Sequence, residues 1–571
     1  MTKLKFYVEN GVCVLLVLNL LYFLYMIELT NSTVGSLFVN LLTQLWLFTF
    51  CYVLNWNKNR AILQTLLLTI SICLLNILKI NYLDAALLPY DIHFIDMDNI
   101  YIFSEYKLLF LSILLLFVSL FISLPYIIID IYKRKQIITF KKLKFFLLCL
   151  SLSIFSFILE MKIYKNESCN LTHGIKQGLG MYLFLCSPRQ ENPLDYYPKN
   201  QSGLFAKFLS NPNDQPSVSF PAVQKPDIFL WLHESTVNPD IYCKFNSFEK
   251  LSLFSADRYT QEQGWLRVHV FGGGTWLSEF SVLTGINHLD FNREGFSVFY
   301  SVVPKLNDSL VKALKNQGYY TIAFNPLKIK NHYNAENAYY HLGFDEVINP
   351  HDLNFPNLWK IPDAIVVNSL IKIWQMKRKI NRPLFIYGLT IAQHAPYDSN
   401  KKSRIPIKNN RLDNNIINAR MTDYWDRISI LSKNYQVLQT ALLEQNKRKV
   451  VLVSFGDHHP SFWQQDTAVT NNSFCSPNLS QPNYVTYYKI QDNFTRQTKN
   501  EVNLFSTSQV LDISFLPSKI LTISGLKKNA VFAANQRMSE LCSGKLNDCP
   551  NQQLVASYKS YLYHILHIFS P

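Results

Sequence analysis

The chain has 571 residues, and its 55 lysines and arginines outnumber 40 acidic residues for a net charge of +15. Short loops between apolar runs near the N-terminus hold only part of that excess. The rest belongs to the polar remainder and suits anionic lipid headgroups or a phosphorylated glycan. Nucleic acid is excluded as a partner if that remainder lies outside a membrane, as the loop charges indicate.

Five apolar runs, at about 11–28, 35–54, 61–80, 108–131 and 143–160, approach the length that crosses a hydrocarbon layer. They predict an N-terminal five-helix transmembrane domain over 1–160. Asn19, Asn40, Gln44 and Asn76 within them are uncharged and suited to bonds between helices. No small-residue cleavage site follows the first run, so it is not read as a cleaved signal peptide. Lys3 and Lys5 precede the first run, Lys58 and Arg60 follow the second, and basic residues from Lys133 to Lys144 follow the fourth. The alternate loops carry acids and no base. This bias keeps the basic loops cytoplasmic and places everything after 160 on the outside of that membrane. Six of the ten cysteines lie outside the runs, an even number that suits an oxidising compartment. Cys542 and Cys549, flanking "SGKLND", are the most credible pair.

Residues 161–225 are polar and irregular, and read as a juxtamembrane connector. From 226 to 535 the runs "DIFLWLH", "YYTIAFN", "PLFIYGLT" and "KVVLVSFG" alternate with helical stretches. That pattern predicts buried parallel strands in one large α/β domain. In the tail, 536–571, Leu554, Tyr558, Tyr561, Leu562, Ile565, Leu566 and Phe569 recur on one helical face. The tail helix either packs on its own domain or lies in the lipid interface.

Within the domain, "HVFGGGTWLSEF" places three glycines directly before Thr275, in a chain with only 18. Residues 276–284 read as a helix closed by Gly285. Thr275 then falls near the N-cap, beside free N–H groups and the positive end of a helix dipole. It is an ordinary capping residue or part of an anion site. Ligands of open α/β sheets bind beyond the carboxyl ends of the strands. There "HESTVNP" supplies Glu234, "IAQHAPYD" supplies His394, and "GDHHP" supplies Asp457, His458 and His459. Each alone has a plain structural explanation. Together, Glu234, Thr275, Asp457 and His458 offer three oxygens and one nitrogen without a thiolate. Such a set suits Mn²⁺ or Mg²⁺, with Zn²⁺ where geometry is tetrahedral. A divalent cation beside the threonine lowers its pKa and makes the hydroxyl a nucleophile at neutral pH.

The ordered set "HEST", "GGGTWLSEFSVLTG", "YGLTIAQHAPY" and "SFGDHHP" resembles the lipoteichoic acid synthase and phosphoglycerol transferase group of the alkaline phosphatase/sulfatase superfamily. The resemblance covers about 226–530 and extends to the five-run topology and to "LLPYDIHF" between the third and fourth runs. It implies a sulfatase-like α/β fold, with Glu234, Thr275, Asp457 and His458 as metal ligands. Thr275 would also be the nucleophile and His394 a substrate contact. The implied activity moves a phosphoalcohol headgroup, phosphoglycerol or phosphoethanolamine, from a phospholipid donor through a phosphothreonine. The implied acceptor is a cell-envelope glycan or polymer; a phosphodiesterase or phosphatase with water as acceptor is the alternative. Where the group carries Trp-x-Arg, "NHYNAENAYYHLGFD" places Tyr333 and Ala335, leaving Tyr333 with Lys328 or Lys330 as headgroup contacts. His459 contacts substrate or packs beside its neighbour. A formylglycine sulfatase is excluded, because "CSPRQ" at Cys186 has its arginine one position early and precedes the first strand.

Overall fold

The computed structural model describes residues 193–209, 225–241, 250–291, 294–327, 332–355, 361–398, 400–402, 415–460, 481–495 and 510–570, apart from isolated positions. In the N-terminal unit, Met1–Gln190, it describes α1 (Lys58–Leu83) and scattered positions between 44 and 151. The run at 61–80 falls in α1. The other four runs, the 132–142 loop, Lys328, Lys330, and Cys169, Cys186, Cys243 and Cys475 lie outside the described residues, single positions in the runs apart. Among the described residues no helix is long and apolar enough to cross a membrane.

The second unit, Glu191–Pro571, is built on a sheet of eight strands. They are β1 (Asp227–His233), β2 (Thr260–Arg267), β3 (Tyr320–Phe324), β4 (Glu346–Ile348), β5 (Leu384–Leu389), β6 (Val450–Gly456), β7 (Val485–Asp492) and β8 (Val510–Asp512). Their order is β4-β3-β5-β1-β6-β7-β2-β8. The four apolar runs form β1, β3, β5 and β6, all parallel. Only β7 runs against its neighbours. Every residue of β1, β5 and β6 is buried, as continuous apolar strands covered on both faces must be.

Among the described residues of this unit the α-helices of six residues or more are α2 (Thr275–Thr284), α3 (Leu310–Lys315), α4 (Ala335–Leu342), α5 (Asp363–Lys377), α6 (Asn415–Gln439), α7 (Leu516–Ile523), α8 (Ala530–Leu541) and α9 (Gln552–His564). Phe229 and Trp231 point to one face of β1, where they meet Trp374 of α5 and Tyr435 of α6. Tyr387 of β5 pairs across the ladder with Leu230, on the opposite face, and meets Tyr339 of α4. The result is a three-layer α/β/α domain. At the amino-terminal edge of β1, buried Asp227 is fully engaged. It accepts from Arg448 at 2.9 Å, the Trp374 indole at 3.0 Å and the Leu384 amide at 2.9 Å.

The tail helix is part of this domain. Leu554, Val555, Tyr558, Leu562 and Tyr563 of α9 are buried. Residues from the expected connector cover it: Phe205 packs edge-on against Tyr558, and Ser560 donates to the Pro198 carbonyl at 2.9 Å. Leu554, Tyr558 and Leu562 of the expected face thus pack on their own domain, whereas Ile565 is exposed and lies past the end of α9. Cys542 and Cys549 are disulfide-bonded.

At the centre of α9, Lys559 forms a buried ion pair with Asp290 at 2.7 Å, and Tyr563 donates to the same carboxylate at 3.0 Å. Lys559→Ala strands that charge in the interior and is expected to cost about 3–5 kcal/mol in urea unfolding. A loss below about 1 kcal/mol would mean that water reaches Asp290.

Candidate active site

The parallel arrangement brings the carboxyl ends of β1, β2, β5, β6 and β8 to one edge, and the chemistry-bearing residues follow those ends. Glu234 comes after β1 and Asp457 after β6. Gly456 makes their approach feasible, since a Cβ there would lie 1.8 Å from the Thr236 carbonyl oxygen. After β2, Gly272 and Gly274 take left-handed φ values of 71° and 87° and turn the chain into α2. Gly274, not Thr275, is the N-cap, and it makes no side-chain cap bond. Thr275 is therefore the first helical residue, with its hydroxyl released from capping.

That hydroxyl donates to Glu234 Oε2 at 3.0 Å and lies 3.4 Å from His458 Nε2. Glu234, Asp457 and His458 each offer a ligand atom, all within 4.8 Å of one another, and all three are buried. Ser235, in a left-handed conformation with φ 48°, donates its amide to Asp457 Oδ1 at 2.7 Å and its hydroxyl to Glu234 Oε1 at 2.8 Å. Such backbone strain clusters at functional sites. The His458 amide also reaches Asp457 Oδ1, at 2.8 Å. Tyr424 fixes the Ser235 carbonyl and Ser278 the Asp457 carbonyl, each at 2.8 Å.

The donor set fits a cation. His458 Nδ1 bonds the His459 carbonyl at 2.8 Å, so its proton is there and Nε2 presents a lone pair. Burial lowers the His458 pKa and keeps the ring neutral. The lone pair faces Asp457 Oδ2 at 3.2 Å and Glu234 Oε1 at 3.5 Å. Asp457 Oδ2 is buried with no hydrogen-bond donor. Burial and the Glu234 charge together push the Asp457 carboxyl well above its ordinary range. Acceptors facing one another in the interior repel, and a divalent ion between them removes the repulsion. Asp227, at the opposite edge, shows how the fold satisfies a purely structural acid.

The other expected contacts divide. Tyr333 stacks on Trp276, next to Thr275, with ring centroids 4.4 Å apart. His394 follows β5 at the same edge; its Nδ1 bonds the Ala395 carbonyl at 2.6 Å, and its own carbonyl accepts from Arg427 at 2.8 Å. His459 is buried, stacked by Phe271, with Nε2 donating to the Val485 carbonyl at 2.8 Å. Burial holds its pKa down at about 4, and the packing reading is the one this geometry supports.

Sequence reasoning missed Ser235, Ser278, Tyr424 and Glu279. The one available signal was Glu279, a lone acid in the otherwise uncharged "TWLSEFSVLT". It also missed a relay from the Glu234 amide to Thr390 Oγ1 at 3.0 Å, to Gln393 at 2.9 Å and to Asp363 at 2.7 Å. Burial pushes Asp363 from 3.8 up to about 7. A carboxyl raised in the fold contributes fully below its unfolded pKa, and that contribution is lost as pH rises through about 7. Asp363→Asn should therefore gain on wild type between pH 4 and 8, by about 4 kcal/mol at most. Denaturant unfolding across that range measures it; a gain that does not grow with pH would contradict the assignment.

Residues 226–504 match the Sulfatase family model. An uncharacterised protein of Haemophilus influenzae is 36% identical over 355 residues, which are 60% of this chain and 62% of that protein. The chain thus spans less than two thirds of that relative's length. The integral membrane lipooligosaccharide phosphoethanolamine transferase A of Neisseria meningitidis is similar in fold, with TM-score 0.53 at 12% identity over 93% of this chain and 97% of that one. The phosphoglycerol transferase GacH of Streptococcus pyogenes aligns with TM-score 0.49 at 20% identity over 66% of this chain and 94% of that one. Residues 226–504 thus form a sulfatase-like domain, matching the Sulfatase family model and carrying a mixed α/β sheet with the candidate site at its strand ends.

Proposed function

We propose that the chain is a membrane-anchored transferase that moves a phosphoalcohol headgroup, phosphoglycerol or phosphoethanolamine, from a phospholipid to a hydroxyl of a cell-envelope glycan or polymer. The observation that carries this reading is the Thr275 hydroxyl, uncapped at the start of α2 and directed at Glu234. The transferase names of the fold neighbours and the apolar N-terminal runs support it.

In the first half-reaction Thr275 Oγ1 attacks phosphorus, the bond to the diacylglycerol oxygen breaks, and diacylglycerol leaves with the proton. Backbone amides at the start of α2 and its positive dipole end face the developing charge on the phosphoryl oxygens. Glu234 accepts the hydrogen bond that orients the threonine oxygen. Ser235 and the His458 amide hold Asp457 in place. A divalent ion held by Glu234, Thr275, Asp457 and His458, Mn²⁺ in the first instance with Mg²⁺ or Zn²⁺ as alternatives, supplies charge neutralisation for phosphoryl transfer. In the second half-reaction the acceptor hydroxyl attacks the same phosphorus, the bond from phosphorus to Thr275 Oγ1 breaks, and the acceptor's proton ends on Thr275 Oγ1. His394, at that edge, orients substrate or manages a proton.

The test incubates the full-length protein with Mn²⁺ and mixed micelles of phosphatidylglycerol and phosphatidylethanolamine. Diacylglycerol release and the mass of the Thr275 peptide are followed together. A headgroup-phosphate adduct on Thr275 is expected. Diacylglycerol and free phosphoalcohol without any adduct would favour hydrolysis, and an unmodified peptide without diacylglycerol would sink both readings.

A further inference from the structure

Glu279 lies one helical turn beyond Thr275 on α2, so the two side chains leave the same side of the helix. Glu279 is 5% exposed. Its Oε2 accepts from the Tyr339 phenol at 2.5 Å, and that phenol oxygen accepts from Asn325 Nδ2 at 3.3 Å. Asn325 stands directly after β3, where its Oδ1 caps the Leu327 amide at 3.0 Å; Tyr339 belongs to α4. One carboxyl on the nucleophile helix thus clasps both stems of the segment that carries Tyr333.

Tyr333 and Asn334 both hold left-handed φ values, 53° and 58°, a strained pair for residues other than glycine. Asn334 is tied to the Phe299 carbonyl at 2.9 Å, and the Trp276 indole to the Phe296 carbonyl at 2.7 Å. The stacked rings are therefore anchored from both sides, next to Thr275. An acid is a costly choice for the clasp. Burial, with the charges of Asp457 and Glu234 adding to it, raises the Glu279 pKa to about 7, and an apolar residue of similar size would pack without that cost. A group kept against such opposition has a use beyond filling space.

We propose that Glu279 is a positioning residue: it holds Tyr339, and through it Asn325, so that Tyr333 stays against Trp276 and the substrate headgroup is registered for attack by Thr275. The proposal rests on the reading of Thr275 as nucleophile for its kinetic consequence, but not for the clasp itself. Misplacement of reacting groups by about an ångström costs on the order of 100-fold in rate. Loss of the clasp, with the metal ligands untouched, therefore slows turnover more than it weakens headgroup binding.

The experiment compares Glu279→Ala, Glu279→Gln and Tyr339→Phe in the full chain with Mn²⁺. Glu279→Ala and Tyr339→Phe should each lower kcat/KM for diacylglycerol release by about 10- to 100-fold, chiefly through kcat. The double variant should be no worse than Glu279→Ala alone, because Tyr339→Phe removes a link that Glu279→Ala has already removed. Glu279→Gln, which keeps an acceptor for Tyr339, should recover most of the loss, and Mn²⁺ affinity should stay within a factor of about two throughout. Hydrogen exchange of residues 325–327 and 332–339 supplies a readout that needs no activity: it should accelerate there in Glu279→Ala and Tyr339→Phe and nowhere else among the described residues. Unchanged exchange, additive losses or lost Mn²⁺ binding would overturn the proposal. Accelerated exchange with a wild type that releases no diacylglycerol would leave the clasp standing and remove the proposed transferase activity instead.

Discussion

Thr275→Ala is expected to lower diacylglycerol release by about 10⁴-fold or more, the scale on which removal of a covalent nucleophile acts. The fold should barely register the change. Thr275 is the first residue of α2 and not its cap, so no helix-terminal amide loses a partner. Glu234 keeps the Ser235 hydroxyl at 2.8 Å. The unfolding free energy should move by no more than about 1 kcal/mol, the net worth of one hydrogen bond. Thr275→Ser retains the attacking oxygen and should retain part of the turnover, together with an adduct on the serine. The two variants separate a nucleophile from an orienting hydroxyl: an orienting group would leave Thr275→Ala within about 100-fold of wild type. Near-normal release in Thr275→Ala would end the assignment.

The core of the sheet was legible because β1, β3, β5 and β6 are apolar throughout. The residues just past three of them, β1, β5 and β6, were legible because strand ends in parallel sheets are where ligands gather. The rest of the sheet had no such mark. β2 reads "TQEQGWLR", and at its Gly264 a Cβ would lie 3.2 Å from the Tyr488 ring, a tight contact. β7 reads "VTYYKIQD" and is wholly buried with its charges. Lys489 within it is satisfied by the Ser252 and Ser255 carbonyls, and burial brings its pKa down to about 8. Those partners are distant in the chain, so no local pattern announces them. The role of Thr275 was half legible. Glycines before a helix mark an N-terminus, but which residue is cap and which is N1 depends on the φ of Gly274. Glu279 and Asp363 were illegible for the same reason as Lys489: each matters through partners that only the fold supplies.

Asp457→Asn should abolish transfer and metal binding together, without unfolding the protein. In the wild type, an ion that binds only the folded state raises stability by about 2.7 kcal/mol at a hundred times its dissociation constant. Adding Mn²⁺ to the metal-free wild type should therefore raise its melting temperature by a few degrees. Asp457→Asn should show no such rise, because the pair of facing carboxylates is what makes a cation favourable there. Metal-free, the variant should melt no lower than metal-free wild type. The exchange replaces a buried carboxyl whose ionisation burial and Glu234 already oppose, and the Asn oxygen still accepts from the Ser235 and His458 amides that now bond Oδ1. Asp227→Asn is the contrasting control. Its carboxylate is already paired with Arg448, so its loss should lower the melting temperature by a similar amount with and without Mn²⁺. Metal affinity and structural charge are thus separated at opposite edges of one sheet. Elemental analysis showing one equivalent of metal in Asp457→Asn, or full transfer by metal-free wild type, would remove the ion from the site and leave its two buried carboxylates unexplained.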